Sequence, residues 1–293
     1  MAKPPSSPVL FDNQRRMALL DRASSRRAAK PFLWEYVAAE LCESLKGISR
    51  PFERALIIGP LAILADRIFQ NRIIDVTLAP TSHADAQALS VEVVSEDRLP
   101  FTPSDFDLII AAGNLDSVND LPGLLIQIRR LLVPDGLFLG SLFGAGSLAQ
   151  LKSAMIMAEG DRASTHIHPQ IELRTLADLL SRVGFALPVA DRDIIDVRYS
   201  DWRQLVADLR DHGLGNALLG DRRYLGKKFL HQLDDAWLSL ADIEQRVTEQ
   251  YVLLNMSGWA PGPDQPKPAR RGSATISLAD ILSSGQDADD MLG

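Results

Sequence analysis

The stretch FTPSDFDLIIAAGNLDSVNDLPGLLIQIRRLLVPDGLFLGSLFG, residues 101–144, decides the fold. Residues 106–111 form a short apolar run after a turn containing Pro103, Ser104 and Asp105, which predicts a buried strand. Over residues 121–132, Leu124, Leu125, Ile128, Leu131 and Leu132 recur at helical spacing. Arg129 and Arg130 fall in the last turn, where the helix dipole favours cations. Pro134, Asp135 and Gly136 end the helix, and residues 137–143 read as a second buried strand. Strand, crossover helix and strand make a βαβ unit of nearly fixed handedness.

The same alternation extends outward in both directions. Upstream, residues 12–29 read as a basic helix, and residues 31–47 as a helix with Leu33, Val37, Leu41 and Leu45 along one stripe. Strands are predicted at residues 55–59, 72–78 and 91–94. Downstream come helices at 147–159 and 173–183 and a strand at 186–190. Beyond residue 193 the pattern suggests a strand around Ile194, Ile195 and Val197, helices from Trp202 and over 229–247, and a strand at 250–256. Short buried strands alternating with amphipathic helices predict an α/β domain. Residues 1–8, with three prolines counted to Pro8, are expected to be disordered, with one domain at 9–260 and an extended tail at 261–293.

Composition narrows the class. A hydrophobic content of 46% and a charged content of 24% are those of an ordinary globular protein. The net charge of −7 argues against a general nucleic-acid binder. The single cysteine, Cys42, excludes an internal disulfide framework and a cysteine-rich zinc site. No apolar run has the length of a membrane span, and MAKPPSSPVL lacks a signal-peptide core. The expectation is a bacterial cytoplasmic protein.

The wording of the central stretch resembles the second half of an S-adenosylmethionine-dependent methyltransferase domain: FDLI, a crossover helix, PDG, then G-x-F. It is most similar to the branch holding the methyltransferase-like assembly factor of respiratory complex I and the malonyl-carrier-protein methyltransferase of biotin synthesis. Val118-Asn119-Asp120-Leu121-Pro122, Phe143-Gly144, Val9-Leu10-Phe11-Asp12 and the tail from Lys267 to Thr275 carry that likeness. The resemblance implies a Rossmann-like fold with a mostly parallel seven-stranded sheet and a helical elaboration after about residue 193. It also implies S-adenosylmethionine as cofactor, and a protein substrate or respiratory-complex subunit as partner.

Mapped residue by residue, the resemblance exposes departures. The family's first turn reads roughly D-x-G-x-G-x-G, and its positions here are Ile57, Gly59, Leu61 and Ile63, so Gly59 alone remains. Pro60 removes a backbone donor, while Leu61 and Ile63 place branched side chains where the cofactor would lie. The ribose-binding acid becomes Thr77. The acid expected after the third strand becomes Ser95, with Glu96 one residue on. Asn114 lies in the loop after the fourth strand, where the branch's His-Trp pair becomes Asp116-Ser117. The implied cofactor-binding residues are therefore Gly59, Thr77, Glu96 and Asn114, and the catalytic candidates are Asp116 and His166. His166 matches a His-Ile-x-Pro of the branch, and His168 is additional; no metal site is expected, because no further ligands cluster nearby. Weakened contacts in the first half beside an intact second half predict a non-catalytic or weakly cofactor-binding assembly protein. The alternative is an active S-adenosylmethionine-dependent methyltransferase, or a related arginine-modifying enzyme, acting on a protein or carrier protein.

Overall fold

Asp12 is extended and its side chain accepts the Arg15 amide at 3.0 Å, which starts helix α1 (Asn13–Ser25). The computed structural model describes residues 9–26, 31–69, 75–159, 166–220 and 225–263. One compact unit runs to Pro261. The tail from residue 264 onward, and the N-terminal eight residues, lie outside the described residues.

Helix α2 (Phe32–Lys46) buries Leu33, Val37, Leu41 and Leu45 as the four-residue spacing predicts. His212 fixes its start: Nε2 accepts the Leu33 amide at 3.2 Å, while Nδ1 donates to the Asp208 carbonyl at 2.6 Å. Strand β1 (Arg54–Ile58) leads into a 3-10 turn (Pro60–Leu64) and the short α3 (Ala65–Phe69). Then come β2 (Asp75–Ala79), α4 (His83–Leu89), β3 (Phe106–Ala112), α5 (Leu121–Leu131) and β4 (Leu132–Phe143). After α6 (Ala149–Glu159) and α7 (Leu173–Val183), the chain makes β5 (Ala186–Tyr199), α8 (Trp202–Asp211), α9 (Lys227–Ser239) and β6 (Val247–Trp259).

The sheet order is β2-β1-β3-β4-β6-β5. The first four strands are parallel; β6 pairs antiparallel with both β4 and β5. Successive side chains on β1 and β3 fall into opposite buried clusters. Ala55, Ile57, Leu108 and Ile110 join α2, α6, α8 and α9 on one face. Leu56, Ile58, Ile109 and Ala111 join α5 and α7 on the other. Covering both faces explains why residues 55–58 and 108–112 are apolar in succession.

Three expectations are corrected. Residues 91–94 form no strand: the Val94 amide donates to the Pro80 carbonyl at 2.9 Å, and the segment ends in a turn bridged at Ser95 and Arg98. The sheet therefore has six strands among the described residues rather than seven. The two strands expected at 186–190 and 194–197 are one fourteen-residue strand, β5. The last helix stops at Ser239 instead of 247, since Val247 already faces the core as the first residue of β6. The elaboration is thus the helix pair α8 and α9, placed between the two antiparallel strands of the main sheet.

The matched segments 9–12 and 118–122 meet in space. The Asn119 side chain accepts the Leu10 and Phe11 amides, both at 2.8 Å, and donates to the Phe11 carbonyl at 3.0 Å. Asp120 caps α5 through the Gly123 amide.

Candidate functional site

In an open α/β sheet the ligand crevice lies outside the carboxyl ends of the strands, where the strand order reverses. Here that point falls between β1 and β3, at Gly59 and at Gly113-Asn114. Gly59 has φ 99°, a conformation that favours glycine, and its amide donates to the Ala79 carbonyl at 3.0 Å. A Cβ on Gly59 would stand 2.9 Å from Cγ and Oδ1 of Asn114. A Cβ on Gly113 would stand 2.7 Å from Cγ of Pro60 and 3.0 Å from the Trp34 ring. The chain's own Asn114, Pro60 and Trp34 side chains therefore pack against this glycine turn.

A charged bridge closes the same place. Asn114 Nδ2 donates to Glu96 Oε1 at 3.2 Å, and Glu96 takes two hydrogen bonds from Arg16 of α1, at 2.9 and 2.5 Å. The ion pair is nearly buried, its side chains 11% and 4% exposed. Burial works against the Arg16 charge, but Glu96 more than offsets it and raises the guanidinium pKa above its ordinary value. Arg16, Leu20 and Ala23 share one face of α1, which is why a basic helix docks against α4 and α8 instead of standing in solvent. Ser24 and Asp21 add contacts to α4, through Asp85 at 2.6 Å and the Ala84 amide at 3.0 Å.

The other sequence candidates separate. Thr77 sits in the middle of β2 opposite Leu56; the strand ends at Ala79, beside the glycine turn. Leu61 is wholly buried in the cluster that includes Trp34 and α2, while Ile63 is only half-buried. Ser95 and Asp97 lie on the surface turn, where Asn13 donates to Asp97 at 2.9 Å.

Asp116 and His166 line a neighbouring cavity of about 650 Å³ at the ends of β3 and β4. Its floor includes Phe143, Leu151 and Tyr251. Tyr251 forms a 2.9 Å hydroxyl contact with Tyr199, whose hydroxyl donates to Asp208 at 2.7 Å. His166 Nε2 meets Glu159 at 2.8 Å. His168 Nε2 accepts the Ala217 amide at 2.9 Å, and the ring packs edge-on to Phe11. Asp116 is half-buried as a residue, but its Oδ1 is fully buried with no hydrogen-bond partner. Burial raises the Asp116 pKa against the pull of His168 and Arg16. Burial also lowers that of His168, with Arg15 and Arg16 reinforcing and Asp116 opposing. Burial thus disfavours the charged form of both groups on the cavity wall.

Glu249 holds the cavity's α6 wall. Completely buried, it accepts the Gln150 and Leu151 amides at 3.1 and 2.7 Å; burial raises its pKa while these amides lower it. Among the described residues, no group of three or more His, Cys, Asp or Glu side chains is placed to hold a metal ion. No described helix is long and apolar enough to cross a membrane.

The order β2-β1-β3-β4-β6-β5, with its antiparallel last pair and ligand crevice at the β1/β3 reversal, defines a Rossmann-like methyltransferase fold. Two solved proteins share that fold: YcgJ of Bacillus subtilis at TM-score 0.51 and 16% identity, over 75% of this chain and 97% of its own. The other, a Bacillus halodurans protein provisionally assigned as a methyltransferase, gives 0.53 and 12% identity over 76% and 99%. The methyltransferase-domain family profile matches residues 26–188, and the chain belongs to that family. It is similar to the mitochondrial arginine-hydroxylase NDUFAF5 of Danio rerio, at 28% identity over 94% of this chain and 93% of the relative. The Homo sapiens counterpart is 32% identical over 85% and 76%. The malonyl-[acyl-carrier protein] O-methyltransferase of Xylella fastidiosa is 31% identical over 56% and 55%.

At the crevice Asn114 lies against Gly59, and the nearby acid Glu96 is engaged by Arg16. Sequence reasoning had flagged Glu96 and Asn114 and missed Arg16. The available signal was its place on the Leu20–Ala23 stripe of α1.

Proposed function

We propose that this chain is a non-catalytic, or weakly cofactor-binding, assembly and binding protein on a methyltransferase fold. The single observation supporting this is the Arg16–Glu96–Asn114 bridge across the glycine turn, with Asn114 occupying the space beside Gly59. Its partner, following the resemblance to the complex I assembly branch, is a respiratory-complex subunit, and its compartment is the bacterial cytoplasm. Calorimetry with S-adenosylmethionine and its demethylated product is the test. The expected result is no saturable heat up to high micromolar ligand; a low-micromolar dissociation constant overturns the reading.

A second reading is an active S-adenosylmethionine-using enzyme that modifies an arginine or another protein group. The retained φ of 99° at Gly59, and likeness to relatives named arginine-hydroxylase, favour it. On this reading Gly59 and Asn114 border the cofactor, α1 moves aside to free Glu96, and Asp116 and His166 face the substrate. Turnover of S-adenosylmethionine in the presence of a captured partner would select it.

A further inference from the structure

We propose that the cavity beside the closed crevice binds an anionic amphiphile, a carboxylate on an unbranched alkyl chain of medium length. The volume of about 650 Å³ lies in the range of small-molecule sites. The cavity also has a direction. Leu151 and Tyr251, at 2% and 0% exposure, form a dry floor, and Met155, Val206 and Leu209 continue the aliphatic wall above them. Arg210 stands at the exposed rim on α8. An aliphatic floor and wall leading to an exposed arginine match a molecule with an alkyl tail and one terminal negative charge.

The charge of the wall supports an anion. Arg15 lines it together with Arg210. Among the described residues Asp116 is the one carboxylate on the lining, and burial disfavours its ionised form. The amides of Gln150 and Leu151 at the start of α6 would otherwise suit a phosphate, but Glu249 already takes them. Recognition of the anion therefore falls to the arginine rim, and the aliphatic walls select a chain over a flat ring.

This site is independent of the cofactor reading, because its test contains no S-adenosylmethionine. Calorimetry on the full chain with decanoate, 1-decanol and decyltrimethylammonium, each below its micellar concentration, measures the head-group preference. Decanoate is expected to bind at one per chain, at least tenfold tighter than the alcohol, with the ammonium weakest. Arg210→Glu should weaken decanoate about tenfold and leave the alcohol unchanged. Met155→Trp should fill the chamber and weaken both, with thermal unfolding as the control for folding. If Met155→Trp does not fold, the probe series and Arg210→Glu decide alone. Equal binding of the three probes, no saturable binding of decanoate, or an unchanged decanoate affinity in Arg210→Glu would each overturn the proposal.

Discussion

The crevice at the β1/β3 reversal and the cavity at the ends of β3 and β4 are neighbours of different make. In the crevice, Arg16 bonds Glu96 and Glu96 bonds Asn114, although Asn114 Oδ1 and Arg16 Nε stay buried without a partner. In the cavity, Asp116 keeps a buried oxygen without a partner beside about 650 Å³ of space. A buried polar atom is tolerated when its partner is another side chain or an arriving ligand. Helix α1 joins the two, bringing Arg16 to the crevice and Arg15 and Leu19 to the cavity, whose other walls include α6 and α8.

The sharpest way to break this contrast is at the ion pair. Arg16→Met should cost about 3–5 kcal/mol in urea unfolding, because it strands a buried carboxylate. Arg16→Met with Glu96→Gln should recover most of that loss and leave the cavity unaltered. A double variant no more stable than the single one would mean that Glu96 is not confined as its 4% exposure indicates.

Next in size is Leu61. As a core residue it should cost about 2–5 kcal/mol on truncation to alanine. The same variant should gain no affinity for S-adenosylmethionine, since Leu61 is buried in the α2-side core and Asn114 is what lies against Gly59. Asn114→Gly is the variant expected to raise that affinity, read by calorimetry against wild type.

Smaller still, Tyr251→Phe removes a hydroxyl from the cavity floor and should cost about 1 kcal/mol. Urea unfolding of the Tyr199→Phe and Tyr251→Phe pair as a double-mutant cycle would isolate the contact. An additive result would deny that the two hydroxyls interact.

The most gradual effect is that of pH. Burial lowers the His168 and His212 pKa values, so their neutral forms stabilise the fold above the ordinary imidazole pKa of about 6.5. That stability is lost as pH falls from there through the folded values. Asp116 and Glu249 run the other way: their raised values favour the fold below the ordinary carboxylate range and cease to do so as pH rises through the folded values. The two histidines and the two carboxylates therefore oppose each other, and His212→Gln should remove part of the histidine contribution, so that its unfolding free energy falls less, or rises more, than wild type below about pH 6.5. Wild-type and His212→Gln curves that run parallel down to pH 5 would contradict it.

Much of the fold was legible because its signals are local. The β3-α5-β4 unit follows directly from apolar runs, a helical stripe and Pro134-Asp135-Gly136. Residues 91–94 misled because Val91, Val93 and Val94 have strand character, whereas pairing depends on neighbours that sequence does not display. At the site, Glu96 and Asn114 could be singled out by position in the chain. Arg16 could not be joined to them, because eighty residues separate it from Glu96 and only the docking of α1 brings them together. Thr77, aligned by motif with the family's ribose-binding acid, lies opposite Leu56, two residues before β2 ends.

The position of β6 has a consequence for how the protein is made. A ribosome releases β4 and β5 long before residues 247–259, yet β6 is the partner that lies between them. Until it arrives, the nascent chain carries β4 with one lateral edge unpaired and β5 with no partner in the sheet. Exposed edges of that kind recruit strands from other chains. Translation that stops short of Val247 therefore yields an adhesive fragment instead of a smaller working domain, and solubility is decided by the last strand to leave the tunnel.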